Sequence, residues 1–261
     1  MTDLPPFIND YAYSKYRKSI EKEVLAGDMP RHIAVIMDGN RRYAKEVLGT
    51  DNVTKGHEKG KEKLREVADW CLQLGIRYLT AYAFSTENFG RDKYEVDYLM
   101  DSLAKTLFEL GDDEKVHKNR MSIRVIGDID LLPEPVRKGM EYAYEKTKGY
   151  DDYHLTLAIA YGSRQDIITA VRGIAKDVKD GAIDIDSIDE DLFKKYISTG
   201  DMPDPDLVIR TSGEIRISNF LLWEIAYSEF YFVDAYWPEF RYIDLLRAVR
   251  TYQKRTRRYG K

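Results

Sequence analysis

The chain has 261 residues, with 41 Lys and Arg against 45 Asp and Glu for a net charge of −4, and it is 43% hydrophobic and 33% charged. That balance excludes a disordered, collagenous or coiled-coil chain, and a chain of this size buries about 70–75% of its unfolded surface without a disulfide or metal staple. The single cysteine, Cys71, can form neither an internal disulfide nor a cysteine-built zinc site, and the net negative charge argues against generic nucleic-acid binding.

Residues 1–30 read as an N-terminal arm or helix that packs outside the sheet, and 31–261 as one catalytic domain. The arm has no apolar run suited to a signal peptide and no stretch of about 18 apolar residues occurs anywhere, so the chain reads as cytoplasmic unless it lies on a membrane surface. Strand-length apolar runs follow at His32–Met37, Arg77–Phe84, Ser122–Ile126, His154–Tyr161, Asp206–Arg210 and Glu229–Asp234. Helical periodicity separates them. In Thr54–Leu74 the residues Leu64, Val67, Ala68, Cys71 and Leu72 share a face, and Gly75 follows as a stop. Tyr94–Leu110 carries the stripe Val96, Leu99, Met100, Leu103 and Leu107, and Glu134–Lys148 and Gln165–Lys179 are similar. Strand and helix in alternation predict an α/β single domain with about six mainly parallel strands flanked by helices.

In such sheets ligands bind beyond the carboxyl ends of the strands. Four polar turns lie there: Asp38-Gly39-Asn40-Arg41-Arg42, Ser85-Thr86-Glu87-Asn88, Tyr161-Gly162-Ser163-Arg164 and Thr211-Ser212-Gly213-Glu214. Arg41, Arg42, Arg91, Arg164, Arg210 and Arg216 sit in or just after them, and guanidinium forks grip phosphate oxygens bidentately, so a polyanionic substrate is expected. Asp38 either caps the helix that Gly39 opens, faces a ligand, or holds Mg²⁺ together with substrate phosphates. Glu229 is either a second metal carboxylate or a strand-end charge. His57, between Gly56 and Gly60, is an exposed helix histidine or a group that donates to phosphate or relays a proton. Neither G-x-x-x-x-G-K-[ST] nor G-x-G-x-x-G occurs, and the four histidines lack metal-ligand spacing.

Several ordered motifs together resemble the cis-prenyltransferases, the undecaprenyl and dehydrodolichyl diphosphate synthase family, over roughly residues 31–260. They are the run His32–Ala44 around Asp38-Gly39-Asn40-Arg41-Arg42-Tyr43, then Gly56-His57, then Tyr82–Phe89 with Arg91 and Glu95. Tyr161–Arg164, Ile209–Glu214, Arg216–Trp223 and Trp237-Pro238-Glu239-Phe240 complete them. The resemblance implies a dimeric, Mg²⁺-dependent enzyme that extends an allylic prenyl diphosphate with isopentenyl diphosphate. It implies Asp38 as metal ligand, with Gly39, Asn40, Arg41, Arg42 and Arg91 around the allylic diphosphate. Arg210, Arg216 and Ser218 would bind isopentenyl diphosphate, and Asn88, Ser85 and His57 would sit near the reacting centre, with Asn88 or a substrate phosphate oxygen handling the departing proton. Tyr43, Thr86, Glu87, Phe89 and Ile217 belong to the same substrate-binding motifs. Glu229 would complete a metal site across the homodimer, and Arg258 and Gly260 look like the C-terminal element that reaches the partner's isopentenyl site. A hydrophobic tunnel for the growing chain is also implied, lined by the helix after Arg91, although most of its stripe reads individually as core.

Arg41 is the form associated with archaeal and eukaryotic members. Val53 and Ile215 stand where bacterial members carry an Arg and a His, and Phe89 where they carry a Trp. A short-chain or single-condensation enzyme is therefore the alternative, with a non-catalytic partner subunit a weaker one. Asp112-Asp113 and Asp151-Asp152 lack the third Asp of the trans-type synthases.

Overall fold

The structure, a computed structural model, describes residues 6–255. Six strands form one sheet in which every pairing is parallel: β1 (His32–Ile36), β2 (Tyr78–Ser85), β3 (Met121–Ile126), β4 (Tyr153–Tyr161), β5 (Leu207–Arg210) and β6 (Glu229–Phe232), in the order β3-β4-β2-β1-β5-β6. Parallel strands are covered on both faces and so read as continuous apolar runs; all five residues of β1 are buried.

The helices are α1 (Pro6–Leu25), α2 (Asn40–Glu46), α3 (Thr54–Gln73), α4 (Lys93–Gly111), α5 (Glu114–Lys118), α6 (Glu134–Thr147), α7 (Ser163–Lys179), α8 (Glu190–Tyr196) and α9 (Tyr242–Lys254). Side chains alternate across a strand, so β1 sends Ile33 and Val35 to one face and Ala34 and Ile36 to the other. The first face meets the larger core, where Val67 of α3, Leu107 of α4, Val136 of α6 and Leu246 of α9 are buried. Ile20 and Val24 join that core from α1, which packs against α9 and is tied to it by Tyr242 Oη donating to Glu21 at 2.8 Å. The second face is covered by Phe220, Leu221 and Ile225, in a segment that Ser163 Oγ of α7 holds by accepting from the Leu222 amide at 2.9 Å. Cys71 is a packing residue, its thiol pushed up to about 12 by burial.

From β1 the chain crosses first to β2, β3 and β4 on one side and later to β5 and β6 on the other. The strand order therefore reverses at β1, and a crevice opens beyond its carboxyl end.

Candidate active site

Gly39 ends the extended strand and starts the site. Its φ is +104°, and a Cβ there would lie 2.8 Å from the Tyr236 ring and 3.1 Å from the Tyr236 backbone, so only glycine fits. Asp38 is anchored through its main chain: its carbonyl accepts from Trp237 N at 3.0 Å and from Thr211 Oγ1 at 2.7 Å. The carboxylate is thereby fixed between two guanidiniums, Arg42 Nη2 at 3.3 Å on Oδ1 and Arg210 Nη2 at 2.8 Å on Oδ2. α3 reaches this corner because it has no side chain at position 56, where a Cβ would lie 2.0 Å from the Asn40 carbonyl oxygen. That approach delivers His57 to the cavity wall.

Arg210 is 3% exposed and organises the β5 side. Its Nη1 donates to Ser218 Oγ at 2.8 Å and to the Arg216 carbonyl at 2.5 Å, while its buried Nε has no protein partner. A buried guanidinium nitrogen without a partner is a group awaiting an acceptor. The loop that carries these residues is strained: Ser212, Ser218, Asn219 and Leu221 all have positive φ, at 79°, 50°, 61° and 47°. Non-glycine residues in that region gather at functional sites. On the β2 side Asn88 Oδ1 accepts from Ser85 N at 3.2 Å, which leaves the Asn88 amide as a donor.

A cavity of about 680 Å³ lies between these walls. Asp38, Gly39, Asn40, Arg41, Arg42, His57, Ser85, Asn88, Arg91, Arg210, Arg216 and Ser218 all line it, together with Leu99 from the stripe on α4. Other expected residues do not. Thr86 turns towards Gly162, Glu87 is held by Asn219 Nδ2 at 3.1 Å, and Phe89 packs edge-on against Phe84 at 4.8 Å. Ile217 packs into the second core, and neither Tyr43 nor Arg164 is among the lining residues. On α4, Met100 and Leu107 are core residues, so of the stripe expected to line a tunnel only Leu99 faces this cavity.

Glu229 is also placed elsewhere. It begins β6 opposite Leu207, at the amino end of the sheet, and pairs with Arg255. Within one chain it therefore cannot meet Asp38, which lies beyond the carboxyl end. Arg258 and Gly260 lie outside the described residues.

Sequence reasoning passed over three lining residues, Lys45, Thr50 and Asp51, on a loop and a short helix with no periodic signal. It also gave no role to Glu95, which lies behind the wall, 3% exposed, and binds His57 and Arg91. Burial is the dominant cause that pushes the His57 pKa down, against the opposing pull of Glu95, so the ring is neutral at pH 7.

Among the described residues no group of three or more His, Cys, Asp or Glu is gathered to hold a metal. One or two carboxylates completed by substrate phosphate oxygens is nonetheless the set that Mg²⁺ takes. Asp38, 27% exposed on the cavity wall, fits that set.

Residues 36–260 match the family model described as putative undecaprenyl diphosphate synthase. The chain is 51% identical over 249 residues to the tritrans,polycis-undecaprenyl-diphosphate synthase (geranylgeranyl-diphosphate specific) of Methanopyrus kandleri, covering 95% of this chain and 91% of that protein. It is 52% identical over 248 residues to the enzyme of the same name from Methanocaldococcus jannaschii, covering 94% and 88%. Among solved structures it resembles lavandulyl diphosphate synthase from Lavandula x intermedia in complex with dimethylallyl diphosphate, with a TM-score of 0.85, 38% identity and coverage of 92% and 100%. A probable undecaprenyl diphosphate synthase from Campylobacter jejuni aligns with a TM-score of 0.71, 32% identity and coverage of 90% and 100%. The chain belongs to the undecaprenyl diphosphate synthase family of cis-prenyltransferases and is a prenyltransferase.

Proposed function

From that membership we propose that the protein condenses isopentenyl diphosphate with geranylgeranyl diphosphate to make a cis-polyprenyl diphosphate, as a Mg²⁺-dependent homodimer that supplies a carrier lipid. The observation that carries this reading is the gathering of five arginines, Arg41, Arg42, Arg91, Arg210 and Arg216, with Asp38 around one cavity at the carboxyl end of the sheet. The relatives named above as geranylgeranyl-specific support the choice of primer.

In the condensation the allylic carbon–oxygen bond breaks, a carbon–carbon bond forms to the isopentenyl unit, and that unit loses a proton. Charge accumulates on the departing diphosphate, and groups already aimed at it lower the barrier. Asp38, together with phosphate oxygens, would hold Mg²⁺, and the bound ion would supply Lewis-acid stabilisation of that leaving group. Gly39, Asn40, Arg41, Arg42 and Arg91 bind the allylic diphosphate, and Arg210, Arg216 and Ser218 the isopentenyl diphosphate. Arg210 also bridges the two halves, because one guanidinium holds both Asp38 and Ser218. Asn88 presents a donor and accepts no proton, so a diphosphate oxygen takes the proton instead.

Glu229 serves a metal site only when offered by a second copy, and the family resemblance assigns Arg258 and Gly260, which lie outside the described residues, to the partner's isopentenyl site. Dimer formation through the sheet edge is supported by β6, whose four residues are all half-buried and whose Phe230 and Phe232 rings stack 6.1 Å apart. No helix among the described residues is long and apolar enough to cross a membrane. We place the enzyme in the cytoplasm, with a peripheral membrane contact for its lipid product.

Mass spectrometry of products from the purified chain, with isopentenyl diphosphate and allylic primers of five to twenty carbons, tests the proposal. A Mg²⁺-dependent ladder in five-carbon steps, best primed by the twenty-carbon diphosphate, is expected. A single condensation product would support the atypical coupling reading, and no product with any primer would support the partner-subunit reading.

A further inference from the structure

Glu95 is a fully packed carboxylate with three cationic or imidazole neighbours, none of which belongs to its own core. Its Oε1 accepts from His57 Nε2 at 3.0 Å and from Arg91 Nη1 at 2.9 Å, and its Oε2 lies 3.6 Å from Arg41 Nε. All three of these residues line the substrate cavity and Glu95 does not. A carboxylate offers only acceptors, so the His57 nitrogen that faces it carries the hydrogen. The other ring nitrogen, Nδ1, then carries the lone pair, on a ring that lines the cavity.

We propose that Glu95 is the positioning residue of the site: its Oε1 fixes His57 as the Nε2–H tautomer and holds Arg91 in the same grip, so that a histidine acceptor and an arginine donor face the substrate from one rigid corner. His57 is then an acceptor in this site, not a donor to a phosphate. The corner is stiff because His57 and Glu95 rise from different helices, α3 and α4, and a shared buried acceptor locks the two helix ends together. A ligand of a catalytic group that is itself held by hydrogen bonds is the common means of fixing tautomer and ring orientation. The geometry stands on its own, while its catalytic consequence rests on the function proposed above.

Two measurements test it. Long-range ¹H–¹⁵N NMR on the full wild-type chain without substrate reads the His57 tautomer directly, among only four histidines. The Nε2–H form is expected, and an Nδ1–H form would overturn the proposal whatever the enzyme turns over. The second measurement compares kcat per folded molecule for Glu95→Ala and Glu95→Gln. Glutamine Oε1 can still accept from both His57 and Arg91, so Glu95→Gln is expected within about threefold of wild type. Glu95→Ala is expected to lose about 10–100-fold in kcat and to show a mixed His57 tautomer, the range typical of removing a group that orients a site residue. Equal losses in both variants would mean that charge alone matters, and a lower Tm with normal kcat in Glu95→Ala would mean a core role only; either result overturns the proposal. If Glu95→Ala does not fold, the wild-type tautomer decides. Absence of wild-type product, by contrast, would refute the proposed function and leave the tautomer reading intact.

Discussion

A buried histidine and a half-buried one sit at the two ends of the same sheet, and their surroundings differ in one respect. At the amino end, His32 has both ring nitrogens occupied: Nδ1 lies 2.7 Å from the Pro203 carbonyl and Nε2 2.8 Å from Thr80 Oγ1. A carbonyl only accepts, so His32 is the Nδ1–H tautomer with every polar atom satisfied. Asp206 completes this end by accepting from the amides of Arg31 and His32 at 2.6 and 3.0 Å. At the carboxyl end His57 has one nitrogen held on a ring that lines the cavity, Arg210 keeps an unpartnered Nε, and non-glycine residues adopt positive φ. The closed hydrogen-bond account around His32 fits a structural role, and the open one around Arg210 fits a place where a ligand is expected.

The largest expected break in this contrast is Asp38→Asn. Removing one fixed charge from the leaving-group site should lower kcat by about 10²–10³-fold. Arg210, buried and bound to Asp38, loses its counter-charge, so urea unfolding should also show a loss of about 1–3 kcal/mol. Product assay and denaturation together separate the two effects.

His32→Leu inverts the pattern. It leaves the Pro203 carbonyl and the Thr80 hydroxyl without partners, which should cost about 2–3 kcal/mol in urea unfolding while kcat per folded molecule stays unchanged. A fall in kcat would show that the amino end is coupled to the chemistry.

Acid titration sharpens the same point. Burial pushes the His32 pKa down to about 4, so between pH 6.5 and 4 the unfolded chain binds a proton there that the folded chain does not. Stability from this group is complete above pH 6.5 and is lost as pH falls through that window, by about 1.4 kcal/mol per pH unit. Urea midpoints measured from pH 7 to 4.5 should fall less steeply in His32→Leu than in wild type; parallel curves would contradict the assignment.

Arg216→Ala should have the smallest effect. The side chain is 58% exposed and its structural link, acceptance from Arg210, uses the backbone carbonyl that alanine retains. KM for isopentenyl diphosphate should rise about tenfold, as expected for one lost charged hydrogen bond, with no change in unfolding midpoint.

The strands were legible in the sequence because buried parallel strands are continuous apolar runs, and Thr54–Leu74 was legible because Leu64, Val67, Ala68, Cys71 and Leu72 keep one face over more than two turns. The short helices α5 and α8 were not, since five to seven residues give too little periodicity, and α2 was signalled only by the turn at Gly39 that opens it. The arginines and Asp38 could be placed because strand ends locate a site in this class of sheet. Glu229 was assigned to that site in a dimer, yet parallel pairing puts its strand start at the opposite end of the same chain. Glu95 carried no local signal of its role, which arises only when α4 returns against α3 and brings it to His57. Glu87 and Phe89 share a turn with Ser85 and Asn88, but Glu87 is exposed and Phe89 packs on Phe84 while the other two line the cavity, and linear sequence does not show which way each points.

If the open end of the sheet is the diphosphate site, a crystal structure of the protein soaked with a non-reactive thio analogue of geranylgeranyl diphosphate will show it. The phosphates are expected against Gly39–Arg42 and Arg91, beside Asp38, with the hydrocarbon running past Leu99. Phosphates bound anywhere else, with the Asp38 corner empty, would contradict that assignment.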